Sequence, residues 1–283
     1  MASKRKTKAK KKQTQADQAD RHELYERSVQ GVEADVEFFA RIYRELNDER
    51  EPESLREDFC GTAALCAAWC TKSEERRAVG VDFDAETVKW GREKYLAEDK
   101  DLADRVKLIE ADVRDVTSPK VDVACAMNFS FCVFKEREDL VEYFERVRRG
   151  LKKDGVFVLE MYGGEEAMVE IEEDRELEGF TYVWEQESFN PVTHETLCHI
   201  HFRFPDGSSI DNAFTYDWRL WTVPELRDAL ADAGFSQSRV YWEAMEEDPE
   251  DSDMEVGSGE YEDVTEEPVE NQASWLAYVV GVR

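Results

Sequence analysis

Leu55-Arg56-Glu57-Asp58-Phe59-Cys60-Gly61-Thr62-Ala63-Ala64 passes from a short strand-like segment, through one glycine, into a small-residue helix. About twenty residues later comes Val79-Gly80-Val81-Asp82-Phe83-Asp84, a second apolar strand ending in an acid. A tight turn at a helix N-terminus followed by an acid at the tip of the next strand is how an open α/β sheet holds a nucleoside-bearing cofactor. Working outward, helix is predicted over 21–50 with a break near Gly31, strand over 54–59 and helix over 62–71. Strand follows at 78–82, helix at 85–98, strand at 106–110 and strand at 121–128. The amphipathic helix 139–151 places Leu140, Tyr143, Phe144, Val147 and Leu151 on one face, and strand 156–161 closes the series. This alternation predicts a mostly parallel sheet with helices on both faces.

The pattern then changes. Alternating strands without helices are predicted at 180–189, 196–204 and 212–221, which reads as a small antiparallel β insertion, 165–221, after strand five. Thr222-Val223-Pro224-Glu225 opens a helix with proline in its first turn. Strands at 239–243 and 274–282 complete a Rossmann-like sheet of seven strands. Residues 1–20 are low-complexity and polar, and 246–270 hold thirteen acids and no Lys or Arg. Both are expected to be disordered, flanking and interrupting one domain over 21–283.

The formal charge is −29. The first twelve residues carry seven Lys or Arg. Without them and the acidic loop, 53 acids still face 30 bases, so the body itself repels phosphates and nucleic acid is a disfavoured partner. No apolar run approaches the ~20 residues of a membrane helix, and no apolar core follows the N-terminal charges as in a secretory signal. No membrane partner and a cytoplasmic location are expected. Six cysteines without a CxxC pair and four histidines make no zinc pattern. No metal is expected, and the cysteines read as reduced core residues.

Several strand ends carry candidate chemistry. A helix beginning at Thr62 would offer free N–H groups to a ligand anion, and Gly61 would permit close approach. Asp82 can accept from both hydroxyls of a ribose or cap the next helix. Asp112 can face an adenine edge or simply shape a turn. Asn128-Phe129-Ser130 ends strand four at the mouth of the crevice. A nicotinamide dinucleotide is disfavoured, because only Gly61 of the three glycines in G-x-G-x-x-G is present; a P-loop is absent.

These residues resemble the class I S-adenosylmethionine-dependent methyltransferases. Glu57 to Ala63 matches their first motif, D-x-G-C-G-T-G. Asp82 matches the ribose acid, Asp112 the adenine-side acid and Leu151-Lys152-Lys153-Asp154-Gly155 the turn before strand five. The wording is closer still to a branch of plants and bacteria carrying R-E-D-F-C-G-T, N-F-S, Y-G-G, F-T-Y-V-W-E-Q and W-R-L-W-T-x-P-E. Here these are Arg56–Thr62, Asn128–Ser130, Tyr162–Gly164, Phe180–Gln186 and Trp218–Glu225. The resemblance implies S-adenosyl-L-methionine as cofactor, with contacts from Tyr25, Arg56, Glu57, Cys60, Gly61, Thr62, Asp82, Phe83, Asp112, Val113, Asn128 and Phe129. It implies methyl transfer, with a small-molecule acceptor expected; an RNA or protein acceptor, or a catalytically silent cofactor-binding protein, are the alternatives. Phe59 and Ala63 stand where the family usually has glycines, predicting a crowded methionine end. Glu57 is one methylene longer than the usual aspartate and has Asp58 beside it as a competitor. Candidate catalytic groups are His199, His201, Asn128 and Tyr162. In the insertion, one face is aromatic and the other mixed-charge; the aromatic face either packs on the core or lines an acceptor pocket with Tyr216, Trp218 or Trp221.

Overall fold

The structure, a computed structural model, describes residues 13–247 and 255–283. Its strands are β1 Ser54–Asp58, β2 Arg77–Asp82, β3 Val106–Glu110, β4 Val121–Ala126, β5 Leu151–Gly163, β6 Ile171–Leu177, β7 Phe180–Phe189, β8 Glu195–Arg203, β9 Ser209–Arg219, β10 Gln237–Glu247, β11 Glu255–Asp263 and β12 Trp275–Val282. The helices are α1 Arg21–Val29, α2 Val32–Leu46, α3 Ala64–Thr71, α4 Ala85–Gly91, α5 Lys100–Arg105, α6 Arg137–Gly150 and α7 Val223–Asp232. The main sheet runs β11-β10-β12-β5-β4-β1-β2-β3, and the second sheet β6-β7-β8-β9. Strands β1 to β5 are parallel, whereas β12 runs antiparallel to β5 and to β10. This is the expected Rossmann-like sheet with an antiparallel insertion after strand five.

The central strands are continuous apolar runs because helices cover both faces. In β4 every residue, Val121 to Ala126, is buried. One layer packs α2 and α3 against the sheet through Phe39, Ile42, Leu65, Trp69 and Val123. The other packs α6 and α7 through Tyr143, Phe144, Phe157, Leu226 and Leu230. Each fully buried large side chain of this kind contributes roughly 1.5–3 kcal/mol. A capping box of Thr222 and Glu225 starts α7, fixing where the chain leaves the insertion. A third cluster, Leu24, Phe180, Tyr182, Ile200 and Phe202, seats α1 on the insertion sheet.

Two expectations differ from the structure, and two elements have no counterpart in the sequence reading. The 246–270 segment contains β11, an eighth strand on the edge of β10. Its glycines and acids hide the alternation, but Tyr261 packs on Tyr278 at 4.6 Å, and Arg41 donates to the Tyr261 carbonyl. Residues 248–254 lie outside the described residues, as do 1–12 of the basic leader. Residues 13–20, expected to be structureless, dock on the insertion: the Gln15 N–H donates to Asp206 at 2.9 Å and Ala16 N–H to Ser208 at 3.1 Å. Strand β6 is a charged edge strand with an exposed interior, lacking apolar alternation. Helix α5 is only six residues long and buries Leu102 alone, too little for a periodic signal.

Candidate cofactor crevice and acceptor cavity

The turn after β1 keeps the backbone that glycines would give it. Phe59, Gly61 and Ala63 have φ of +57°, +51° and +60°, all left-handed. The Phe59 ring turns away onto Phe134 and Tyr143, at 6.0 and 5.7 Å, so its bulk is absorbed by the α6 side of the core. Ala63 is the left-handed cap that delays α3 to Ala64, two residues beyond the predicted start. The N–H of Cys60 donates to the Val81 carbonyl at 3.0 Å, tying the turn to β2. The Cys60 side chain is buried against Gly80, where a Cβ would stand 2.8 Å from its sulfur. Cys60 can therefore face the crevice only through its backbone. The Thr62 hydroxyl is buried with no hydrogen-bond partner among the described residues, a polar atom in want of a ligand.

Asp82 holds this turn rather than capping α4, whose cap is Asp84. Its Oδ2 accepts from the Gly61 N–H at 2.8 Å and its Oδ1 from the Asp84 N–H at 2.8 Å. An ionised carboxylate has about four acceptor positions, so two remain for a diol. Burial raises the Asp82 pKa against these backbone donors. Phe83, beside it, is 76% exposed, a bare ring at the crevice. Val113 is buried. Asp112 is clamped within its own turn by Arg114, with N···O contacts of 3.0 and 2.7 Å.

The alternation of β1 separates the three neighbouring charged residues. Arg56 and Asp58 face one way, paired at 2.6 Å, with Arg56 also donating to the Val116 carbonyl and Tyr143 donating to Asp58 at 2.9 Å. Arg56 is thus a core residue and not the cofactor contact expected of it. Breaking such a buried pair costs about 3–5 kcal/mol. Glu57 faces the other way, accepts from the Cys66 N–H at 3.2 Å and lines a cavity of about 190 Å³ with Asn128. Burial pushes its carboxyl up to about 8. Asp58 does not compete with it.

A second cavity, about 530 Å³, opens between α1, the insertion sheet and the end of β5. Asn128 and Glu160 line both cavities. Asn128 and Phe129 hold left-handed backbone, φ +49° and +59°. The Asn128 N–H donates to Glu160 Oε2 at 2.6 Å. The aromatic face of the insertion forms the wall: Tyr216 stacks on Trp218 at 4.4 Å, Trp184 lies 6.1 Å from Tyr216, and Phe129 lies 4.5 Å from Tyr162. Tyr25 lines the same cavity, its ring 4.9 Å from Phe214. The Tyr162 hydroxyl is buried and has only the weakly bonding Cys198 thiol beside it. Trp221 belongs to a separate cavity below β5.

His199 and His201 are not at this cavity. Both lie on the opposite, charged face of the sheet. His199 bonds Thr215 at 2.9 Å and Glu187 at 2.8 Å; His201 bonds Glu185 at 2.9 Å and accepts from the Asn212 N–H at 3.0 Å. Their ring nitrogens are occupied by cross-strand partners, which removes them as candidate bases. Glu160, absent from the sequence reading, is the acid that the cavity does contain. Its signal was weak: one acid in an otherwise apolar strand beside Tyr162-Gly163-Gly164. Among the described residues, no cluster of His, Cys, Asp and Glu could hold a metal, and no helix is long and apolar enough to cross a membrane. All six cysteines are free and buried.

Residues 60–157 match the model of a methyltransferase domain. A Bacillus subtilis protein named "Putative methyltransferase YqeM" is 23% identical over 198 residues, 67% of this chain and 76% of that protein. A solved S-adenosylmethionine-dependent methyltransferase from Clostridium acetobutylicum superposes with TM-score 0.64 at 16% identity, over 92% of this chain and 96% of that one. The sugar N-methyltransferase KedS8 from Streptoalloteichus superposes with TM-score 0.60 at 18% identity, over 100% and 98%. The left-handed cradle, the orphaned Thr62 hydroxyl and the spare acceptor positions of Asp82 fit S-adenosylmethionine, the cofactor named for the Clostridium protein. Strand order and the superposed structures show that the chain has the fold of S-adenosylmethionine-dependent methyltransferases, and residues 60–157 match a methyltransferase domain.

Proposed function

We propose that the protein transfers a methyl group from S-adenosylmethionine to a small molecule seated in the aromatic cavity, and that it belongs to the branch carrying Arg56–Thr62. The observation that carries this reading is continuity. The cavity at Trp184, Tyr216 and Trp218 shares Asn128 and Glu160 with the smaller one reaching Glu57 behind the β1 turn. The cofactor, when bound, supplies a methyl on a sulfonium, leaving with the S–C electron pair kept by sulfur. The chain's own part is to hold and align. Asp82 accepts from the ribose, Phe83 covers the adenine, Glu57 faces the methionine amine, and the aromatic wall places the acceptor in line. The acidic body argues against an RNA acceptor.

Calorimetric titration with S-adenosylhomocysteine tests the cofactor half. Wild type is expected to bind, and Asp82→Ala to lose about tenfold or more in affinity, the scale of a charge-assisted hydrogen bond to a diol. Unchanged affinity in Asp82→Ala sinks the ribose assignment, and no binding by wild type sinks the enzyme.

A further inference from the structure

Glu160 sits where the proposed acceptor would meet the methyl donor, and its surroundings are one-sided. Its Oε2 is used by the Asn128 N–H, and Oε1 has no hydrogen-bond partner among the described residues. The charged groups that act on it are Asp35 from α2 and Glu243 from β10, both acids. Tyr278 of β12 and Tyr261 of β11 face it too, as does Tyr25 of α1. Glu57 of β1 shares its smaller cavity. Two arginines also line the larger cavity, and each is held by a backbone carbonyl and an aromatic ring. Arg27 donates to the Glu178 carbonyl at 2.6 Å over the Phe180 ring, and Arg175 donates to the Ser28 carbonyl over the Tyr182 ring. The cavity therefore combines a wall of electron-rich rings with an acid that no ion pair among the described residues engages. Burial and acid neighbours push Glu160 up to about 8, so it gives up its own proton to water close to neutral pH and is ionised above that value.

An acid without an ion-pair partner, in one cavity with stacked Trp and Tyr rings, is an arrangement that can hold an organic cation. Resting on the methyltransferase reading above, we propose that the acceptor is an amine, captured as its ammonium ion against Trp184, Tyr216 and Trp218, and that Glu160 takes its proton. With Glu160 ionised, the N–H electron pair stays on nitrogen and the proton passes to Glu160 Oε1. That frees the lone pair a methyl acceptor needs. Glu160 is placed as a general base, and a base titrating near the working pH is the efficient kind.

The test uses the full chain saturated with S-adenosylhomocysteine, with choline and its neutral isostere 3,3-dimethylbutanol as probes and tryptophan fluorescence as readout. Choline is expected to bind about tenfold or more tighter than the isostere, the range of a desolvated cation on aromatic rings. Choline keeps its charge at every pH, so any pH dependence belongs to the protein. Its affinity should rise from pH 6 to about 8 as Glu160 is freed of its proton. Glu160→Gln keeps an acceptor for the Asn128 N–H, so a merely structural role is preserved. It should abolish both the preference and the pH dependence while still binding S-adenosylhomocysteine. Equal binding of choline and isostere, or a preference surviving in Glu160→Gln, overturns the amine assignment. Failure of S-adenosylhomocysteine to bind instead overturns the methyltransferase reading beneath it.

Discussion

Phe59 and Ala63 look, letter by letter, like damage to a glycine-rich turn, and the backbone says otherwise. Both adopt φ near +60°, a conformation that costs an L-residue about 1–2 kcal/mol. The cost at Phe59 is offset by its contacts with Phe134 and Tyr143. Removing a fully buried aromatic ring costs about 3–5 kcal/mol; Phe59 is only half-buried, so with the strain relieved Phe59→Gly is expected to lower stability by about 1 kcal/mol. Chemical denaturation measures that, and affinity for S-adenosylhomocysteine should be unchanged. A second residue-scale consequence concerns pH. Glu57 titrates near 8 in the folded protein against about 4.5 unfolded. The folded state then binds the extra proton, so this group's contribution is fully present below about 4.5 and is lost as pH rises through 8. The ligand-free protein should melt lower at pH 8 than at pH 5, and Glu57→Gln should flatten that slope in a thermal scan. The motif letters named the turn; which side of β1 each charge faces followed from the strand's twofold alternation, also readable in sequence. That Arg56 closes on Asp58 and not on a ligand was not readable, because it depends on Tyr143 and Val116 arriving from other elements.

At the scale of elements, the insertion sheet sorts its residues by face. Alternation in β7, β8 and β9 correctly divides rings from charges, but it cannot say which face meets the cavity. Packing of α1 decides that, by seating Leu24 and Tyr25 on the aromatic side. The histidines are left outside, cross-linked to Glu185, Glu187 and Thr215. His199→Ala should therefore cost only about 1 kcal/mol of stability, since its partners Glu187 and Thr215 are exposed and regain water. Neither His199→Ala nor His201→Ala should change choline or S-adenosylhomocysteine affinity more than about twofold, within the modest effects usual for remote substitutions. A tenfold loss in either titration would return the histidines to the site. Strands β6 and β11 escaped the sequence because edge strands need not alternate: with one side open, charges and glycines are tolerated, and partners supply the order.

The whole molecule carries a formal charge of −29 and still brings Asp35, Glu57, Glu160 and Glu243 toward one crevice. Self-repulsion of this size is screened by salt. Raising sodium chloride from about 0.05 to about 0.5 M shortens the screening length roughly threefold and should raise Tm by several degrees, read by calorimetry. An unchanged or lower Tm would mean that the surface ion pairs, such as Lys152 with Asp122, outweigh the repulsion. By itself, the sequence determined the β–α alternation, the glycine turn after β1 and the acid ending β2, because these are local: periodicity, one glycine and strand-end chemistry lie within short spans of chain. Only the tertiary structure decided that Arg56 and the two histidines serve packing, that Phe59 turns into the core, and that Glu160 stands alone among rings and acids. Those outcomes depend on which distant elements pack together, and a side chain's partners across a sheet or from another helix leave no mark on its own neighbours in sequence.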